Sequence, residues 1–192
     1  MDPPRFEYDV FVSASQRDTQ PQGDGEPGLA PGVVQLLDLV LAQRLGRKPA
    51  IWFDILGAAG IDPQHHAQVL AGSAVMLVLL SPAYLASAWC RRELQQFVHL
   101  APPVGDGQPG RLFLVHLQPV EPGQLPAPLA AMVGYHADRT ASGPPGQAAP
   151  APDADARRHL LDMVHQLARD MARQLKSPAA PPGRADSKPT PG

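Results

Sequence analysis

In the segment Ser87-Ala88-Trp89-Cys90-Arg91-Arg92-Glu93-Leu94, an indole precedes a carboxylate by four residues. Positions i and i+4 of a helix lie on one face, so both groups can project into one cleft. An indole offers a flat face to a ring, above all to a cationic one. A carboxylate stabilises positive charge that develops in a transition state. As a bare motif the pair is weak. A helical Glu is ordinarily a solvated surface group, and this one neighbours Arg91 and Arg92; a Trp at helical spacing is ordinarily core.

Other residues are weaker candidates. Asp54 closes the run Ala50-Ile51-Trp52-Phe53-Asp54 and either meets a ligand at the end of a strand or caps a turn. Ser13 and Ser15 can present hydroxyl or backbone groups, with turn formation as the plain alternative. Cys90 has the company of Arg91, which would lower a thiol pKa, but it lacks the paired His of a thiol enzyme and reads as a packed side chain. His65 and His66 are adjacent and point apart, and His159 and His165 miss the i, i+4 spacing, so no metal site is expected. The chain holds no Walker loop, GxGxxG or GxSxG.

The elements that must position these residues follow from apolar periodicity. Tyr8-Asp9-Val10-Phe11-Val12-Ser13 predicts a first buried strand, and residues 14–32 an extended loop. Val33, Leu36, Leu37, Val40 and Leu41 form a helical stripe that ends at 46–49, before a second strand at 50–54. Asp62-Pro63 reads as an N-cap with Pro at the first helical position, opening a helix that carries Ala67, Val69 and Leu70. Ala74 to Leu80 is continuously apolar, as in a strand buried on both faces and stopped at Ser81-Pro82. A helix over 89–100, a strand over 112–117, a short helix over 129–132 and a weak fifth strand over 133–137 follow. Leu160, Val164, Leu167, Met171 and Leu175 make a last helical stripe. Strands alternating with helices predict an α/β fold, a roughly five-stranded parallel sheet covered on both faces. Its strand C-terminal ends gather at one edge, where ligands bind in such folds. Glu93 falls on the helix after the third strand.

Composition narrows the class. With 192 residues and 44% hydrophobic residues the chain can bury one core. A formal charge of −2, with basic residues clustered no further than short pairs such as Arg91-Arg92 and Arg157-Arg158, argues against nucleic acid as a partner. One cysteine excludes an internal disulfide and fits a reducing cytosol. The start lacks the apolar segment of a signal peptide, and the longest apolar run is far short of a membrane span, so neither secretion nor membrane insertion is expected. The 24 prolines concentrate in loops and in the last quarter of the chain.

Three segments, in order, resemble the Toll/interleukin-1 receptor (TIR) family. Tyr8-Asp9-Val10-Phe11-Val12-Ser13 is similar to the family's first box. Ile51-Trp52-Phe53-Asp54 with Gly60 is similar to the second strand and its BB loop. Ser81-Pro82-Ala83-Tyr84-Leu85, then Ser87-Ala88-Trp89-Cys90-Arg91-Arg92-Glu93-Leu94, is the most specific match. The late Phe-Trp box of receptor-type members is absent, and Ala14 stands where many members carry an aromatic residue. The resemblance implies a flavodoxin-like TIR fold and a bacterial-type NAD glycohydrolase. Glu93 would be the catalytic residue, with Trp89, Ser13, Ala14, Ser15, Asp54 and Ile55 around the substrate. NAD would be substrate rather than cofactor. It also implies activation by self-assembly through the BB loop, here with Gly57, Gly60 and Ile61, and a place in immune signalling or defence. A non-enzymatic TIR interaction module would use the same loop without Glu93, and a deoxyribosyltransferase-type enzyme would need another nucleophilic carboxylate. The expected organisation is a TIR core over 1–140, a Pro/Ala-rich linker over 141–155, a packed helix over 156–176 and a disordered tail over 177–192. A sensor domain or activating partner would complete such a protein.

Overall fold

The computed structural model describes residues 6–21, 28–54, 62–101, 110–137 and 154–176. Five strands among these residues form one sheet: β1 (Tyr8–Ala14), β2 (Ile51–Phe53), β3 (Ser73–Leu80), β4 (Leu112–His116) and β5 (Tyr135–His136). All four pairings are parallel and the order is β2-β1-β3-β4-β5. This is the flavodoxin-like order, whose direction reverses between β1 and β3. The expected α/β class is the class found.

Among the described residues, seven α-helices connect and cover the strands: α1 (Gln16–Thr19), α2 (Leu29–Leu45), α3 (Pro63–Ala71), α4 (Pro82–Ala86), α5 (Ala88–Leu100), α6 (Ala127–Ala130) and α7 (Ala154–Lys176). Period-two alternation divides the core. Val10, Val12, Val75, Leu77, Leu79, Phe113 and Val115 face α2 and α7. Phe11, Met76, Val78, Leu80 and Leu114 face α3, α4, α5 and α6. A chain that reverses direction across the sheet while keeping right-handed crossovers must change faces, which is why α2 and α3 lie on opposite sides. β3 is buried along its whole length, as its unbroken apolar run requires.

Several boundaries differ from the sequence-based expectations. The loop over 14–32 contains α1 and the first turn of α2, and Ala14 belongs to β1. Ser81-Pro82 ends β3 but also opens α4: Ser81 Oγ accepts from the Tyr84 amide at 3.0 Å and Pro82 takes the first turn. In α3 the buried residues are His66, Val69 and Leu70, while Ala67 is exposed. α6 starts two residues earlier than expected, and β5 shrinks to two residues. α7 starts at Ala154 and buries Met163, Val164, Leu167, Ala168, Met171 and Ala172 in the same core as α2. The linker up to residue 153 and the tail from 177 lie outside the described residues.

Candidate active site

Two helices bring polar groups to one place. On α5 the buried residues are Cys90, Glu93, Leu94 and Phe97, a stripe at i, i+3, i+4 and i+7. Glu93 therefore occupies a position where a core-facing helix ordinarily carries an apolar side chain, and it is 6% exposed. On α3 the stripe opens with His66, 4% exposed. Both helices follow a strand of a parallel sheet, so both begin at the edge where the strands end. From β1, Ser13 points to the same face as Phe11, toward α3 and α5, because side chains alternate along a strand.

These groups converge on the Glu93 carboxylate. Trp89 Nε1 donates to Oε1 at 2.7 Å, His66 Nε2 lies 2.8 Å from Oε1, and Ser13 Oγ donates to Oε2 at 2.5 Å. An ionised carboxylate only accepts, so Nε2 of His66 carries the proton in this arrangement. Burying an unpaired carboxylate costs several kcal/mol; three donors, each in a charge-assisted bond, offset that cost. The His66 ring meets Phe11 edge-on at 5.5 Å and Trp89 at 4.8 Å and 60°. The cleft at this point is bounded by Pro63, His66, Trp89, Arg92, Glu93 and Gln96 and holds about 70 Å³. Ligand pockets usually span about 300–1,000 Å³; the space enclosed here is on the scale of a single ring.

A second layer sits beneath. Tyr84 is fully buried, its Oη 3.2 Å from Ser13 Oγ and donating to the Cys90 carbonyl at 3.3 Å. Burial pushes the Tyr84 phenol well above its ordinary value, so it stays a neutral donor. Asp18, just after β1, accepts from Ser81 Oγ, just after β3, at 2.6 Å. That bond bridges the two strands between which the sheet reverses. Burial raises the Asp18 pKa, and the Ser81 hydroxyl pulls it partly back.

The expected site residues sort as follows. Glu93, Trp89 and Ser13 come together. Ser15 is buried and caps α1, accepting from the Arg17 amide at 3.3 Å, which is the turn-forming role. Ala14 turns its side chain to the opposite face, against the α2 cluster; its carbonyl accepts from Cys90 Sγ at 3.5 Å. Asp54 follows β2 and is half-buried. Ile55, Gly57, Gly60 and Ile61 lie outside the described residues. Cys90 is packed, and burial pushes its thiol up to about 12. His66 is the residue that sequence reasoning missed. Its signal was present: His66, Val69 and Leu70 stand at i, i+3 and i+4, which puts the imidazole on the inward face of α3. Among the described residues, no group of three or more His, Cys, Asp or Glu is placed to hold a metal ion, and no helix is long and apolar enough to cross a membrane.

No protein-family model and no curated protein matches this chain. Among solved structures, the crystal structure of the TIR domain of the Toll-related receptor TRR-2 from Hydra magnipapillata is similar at 16% identity and a TM-score of 0.47, covering 84% of this chain and 98% of that one. The chemistry of the site rests on the residues above. In its three ordered boxes and in its flavodoxin-like sheet order, the chain resembles a TIR domain.

Proposed function

We propose that this chain is a TIR domain that cleaves the nicotinamide–ribose bond of NAD, with Glu93 as the catalytic carboxylate. One observation carries this reading: a carboxylate is kept in the buried stripe of α5, held by Ser13, His66 and Trp89, at the mouth of a cleft on the ligand edge of the sheet. A carboxylate that takes three donors to hold, at a position where Leu would pack well, asks for a functional reason.

The chemistry follows from charge. Nicotinamide in NAD is a cation, so it leaves without a general acid. The bond from C1′ to the pyridinium nitrogen breaks, its electron pair neutralises that nitrogen, and positive charge develops on the ribose. Glu93 faces that charge as the carboxylate of a glycosidase does. Water then bonds to C1′ and releases its proton, giving ADP-ribose; attack by a nucleophile of the same molecule gives a cyclic isomer. Trp89 offers its indole face to the cationic ring. Self-assembly would bring a neighbour's residues to complete the cleft, and cleavage would be the output of a defence or immune signalling protein.

The small cleft also favours a second reading, a module that signals by homotypic contacts alone. Nicotinamide release from bead-clustered protein separates the two. The glycohydrolase releases nicotinamide with ADP-ribose or a cyclic product, and Glu93→Ala lowers the rate by at least about two orders of magnitude. Clustered, folded protein that leaves NAD intact would favour the interaction module.

A further inference from the structure

His66 lies outside the segment that pairs Trp89 with Glu93. It comes from another helix, α3, and from the far side of the cleft. Its ring is buried, wedged edge-on between Phe11 and Trp89, with Nε2 2.8 Å from Glu93 Oε1. We propose that His66 is a positioning residue for Glu93: its N–H and that of Trp89 fix Oε1 together, so that the carboxylate presents Oε2 to the substrate. This role rests on the glycohydrolase reading of the same site.

A carboxylate has about four acceptor positions. Trp89 and His66 fill those of Oε1, and Ser13 fills one on Oε2. One position on Oε2 is left for a donor from outside, and a ribose hydroxyl is such a donor. Two flat donors in edge contact with each other constrain the plane of the carboxylate more tightly than one donor does. Trp89 shares a helix with Glu93 and moves with it. His66 is the donor that ties the carboxylate to a separate element, and preorganised charge is what lowers the barrier.

A histidine that merely filled space would behave differently under substitution. His66→Phe keeps a flat buried ring and loses the donor. His66→Gln keeps an N–H donor and loses the ring. A space-filling role ranks Phe above Gln; a positioning role ranks Gln above Phe. The test uses the full chain clustered on beads, initial rates over a range of NAD concentrations, and a thermal melt for each variant, with Glu93→Ala alongside.

The expected result is a kcat for His66→Phe lower by about ten- to a hundredfold, the loss seen when the hydrogen-bond partner that orients a metal-binding side chain is removed, applied here to a catalytic carboxylate. KM should change little, because the loss falls on the transition state. His66→Gln should regain most of the lost kcat. His66→Phe at the wild-type rate, or His66→Gln slower than His66→Phe, overturns the proposal. Should His66→Phe not fold, His66→Met, which fills the space without a donor, takes its place under the same criteria. If wild-type protein releases no nicotinamide, or Glu93→Ala still does, the glycohydrolase reading fails and this role falls with it. A dead Glu93→Ala beside a fully active His66→Phe overturns the role of His66 alone.

Discussion

Each polar side chain near Glu93 has a distinct cost of removal. Ser13→Ala deletes the donor to Oε2, and a hydrogen bond to a charged group contributes about 1.5–3 kcal/mol. Unfolding in urea should shift by that order, and the rate of NAD cleavage should fall as well. Tyr84→Phe removes a hydroxyl that touches Ser13 and the Cys90 carbonyl but not Glu93. It should cost about 1 kcal/mol of stability and leave cleavage nearly intact. Equal losses of activity in both variants would mean that the carboxylate depends on the whole hydroxyl chain and not on its nearest link. Cys90 allows a simpler check. Only the thiolate is nucleophilic, and burial pushes this thiol up to about 12. Iodoacetamide at pH 8 should therefore leave the folded protein unmodified and label it once it is unfolded. Rapid labelling of native protein would contradict the packed position under Ala14.

At the scale of elements, helix ends decide how the site is delivered. Gly28 caps α2 where the chain closes over α1; a Cβ there would meet Gln20 O at 2.5 Å, Asp18 O at 2.7 Å and Thr19 C at 2.9 Å. These are backbone atoms and cannot swing aside. Gly28→Ala should cost about 1–3 kcal/mol by overpacking, and it should disturb Asp18 and its bond to Ser81. A thermal melt reads the first effect. Wild-type stability in Gly28→Ala would mean that the α1–α2 connection yields freely. Capping also explains what was legible in the sequence. Asp62-Pro63 announced α3 because an apolar pattern followed it. Ser81-Pro82 is the same device, with Ser81 accepting from Tyr84, yet α4 has five residues, too few to show a period beside the obvious end of β3. α1, with four residues under a Ser15 cap, is hidden for the same reason. Strands that bury both faces were plain from their apolar runs. β5 was blurred because two residues carry no alternation. Glu93 and Trp89 were legible through their spacing. For His66 the spacing with Val69 and Leu70 shows an inward ring but not its partner, which lies 27 residues away in the chain and is reached only by the packing of α3 against α5.

At the scale of the molecule, the sheet has a centre covered on both faces and a light edge. The centre, β1 with β3, is clamped between the α2–α7 layer and the α3–α5 layer and carries the site. The edge, β5, is held to β4 by two register pairs, Val115 with Tyr135 and His116 with His136. The His116 and His136 rings stack at 4.5 Å and 14°. His159 of α7 reaches the His136 carbonyl at 3.0 Å, and Tyr135 donates to Asp170 of α7 at 2.6 Å. Burial, then the neighbouring His136, lowers the pKa of His116 below the ordinary 6.5. A histidine whose folded pKa is depressed binds its proton more readily when unfolded. Its contribution to stability is complete above about 6.5 and is lost as pH falls through the lower, folded value. The melting temperature should therefore drop between pH 8 and pH 5.5, a window above the ordinary carboxylate range. His116→Phe keeps a ring for the stack and removes the charge, so it should flatten the dependence. An unchanged drop in His116→Phe would place the acid sensitivity away from the β4–β5 edge. Because that edge is remote in the sheet order from β1, loosening it should leave the Glu93 site standing. Cleavage per folded molecule at pH 5.5 should then match between wild type and His116→Phe, even as their melting temperatures diverge.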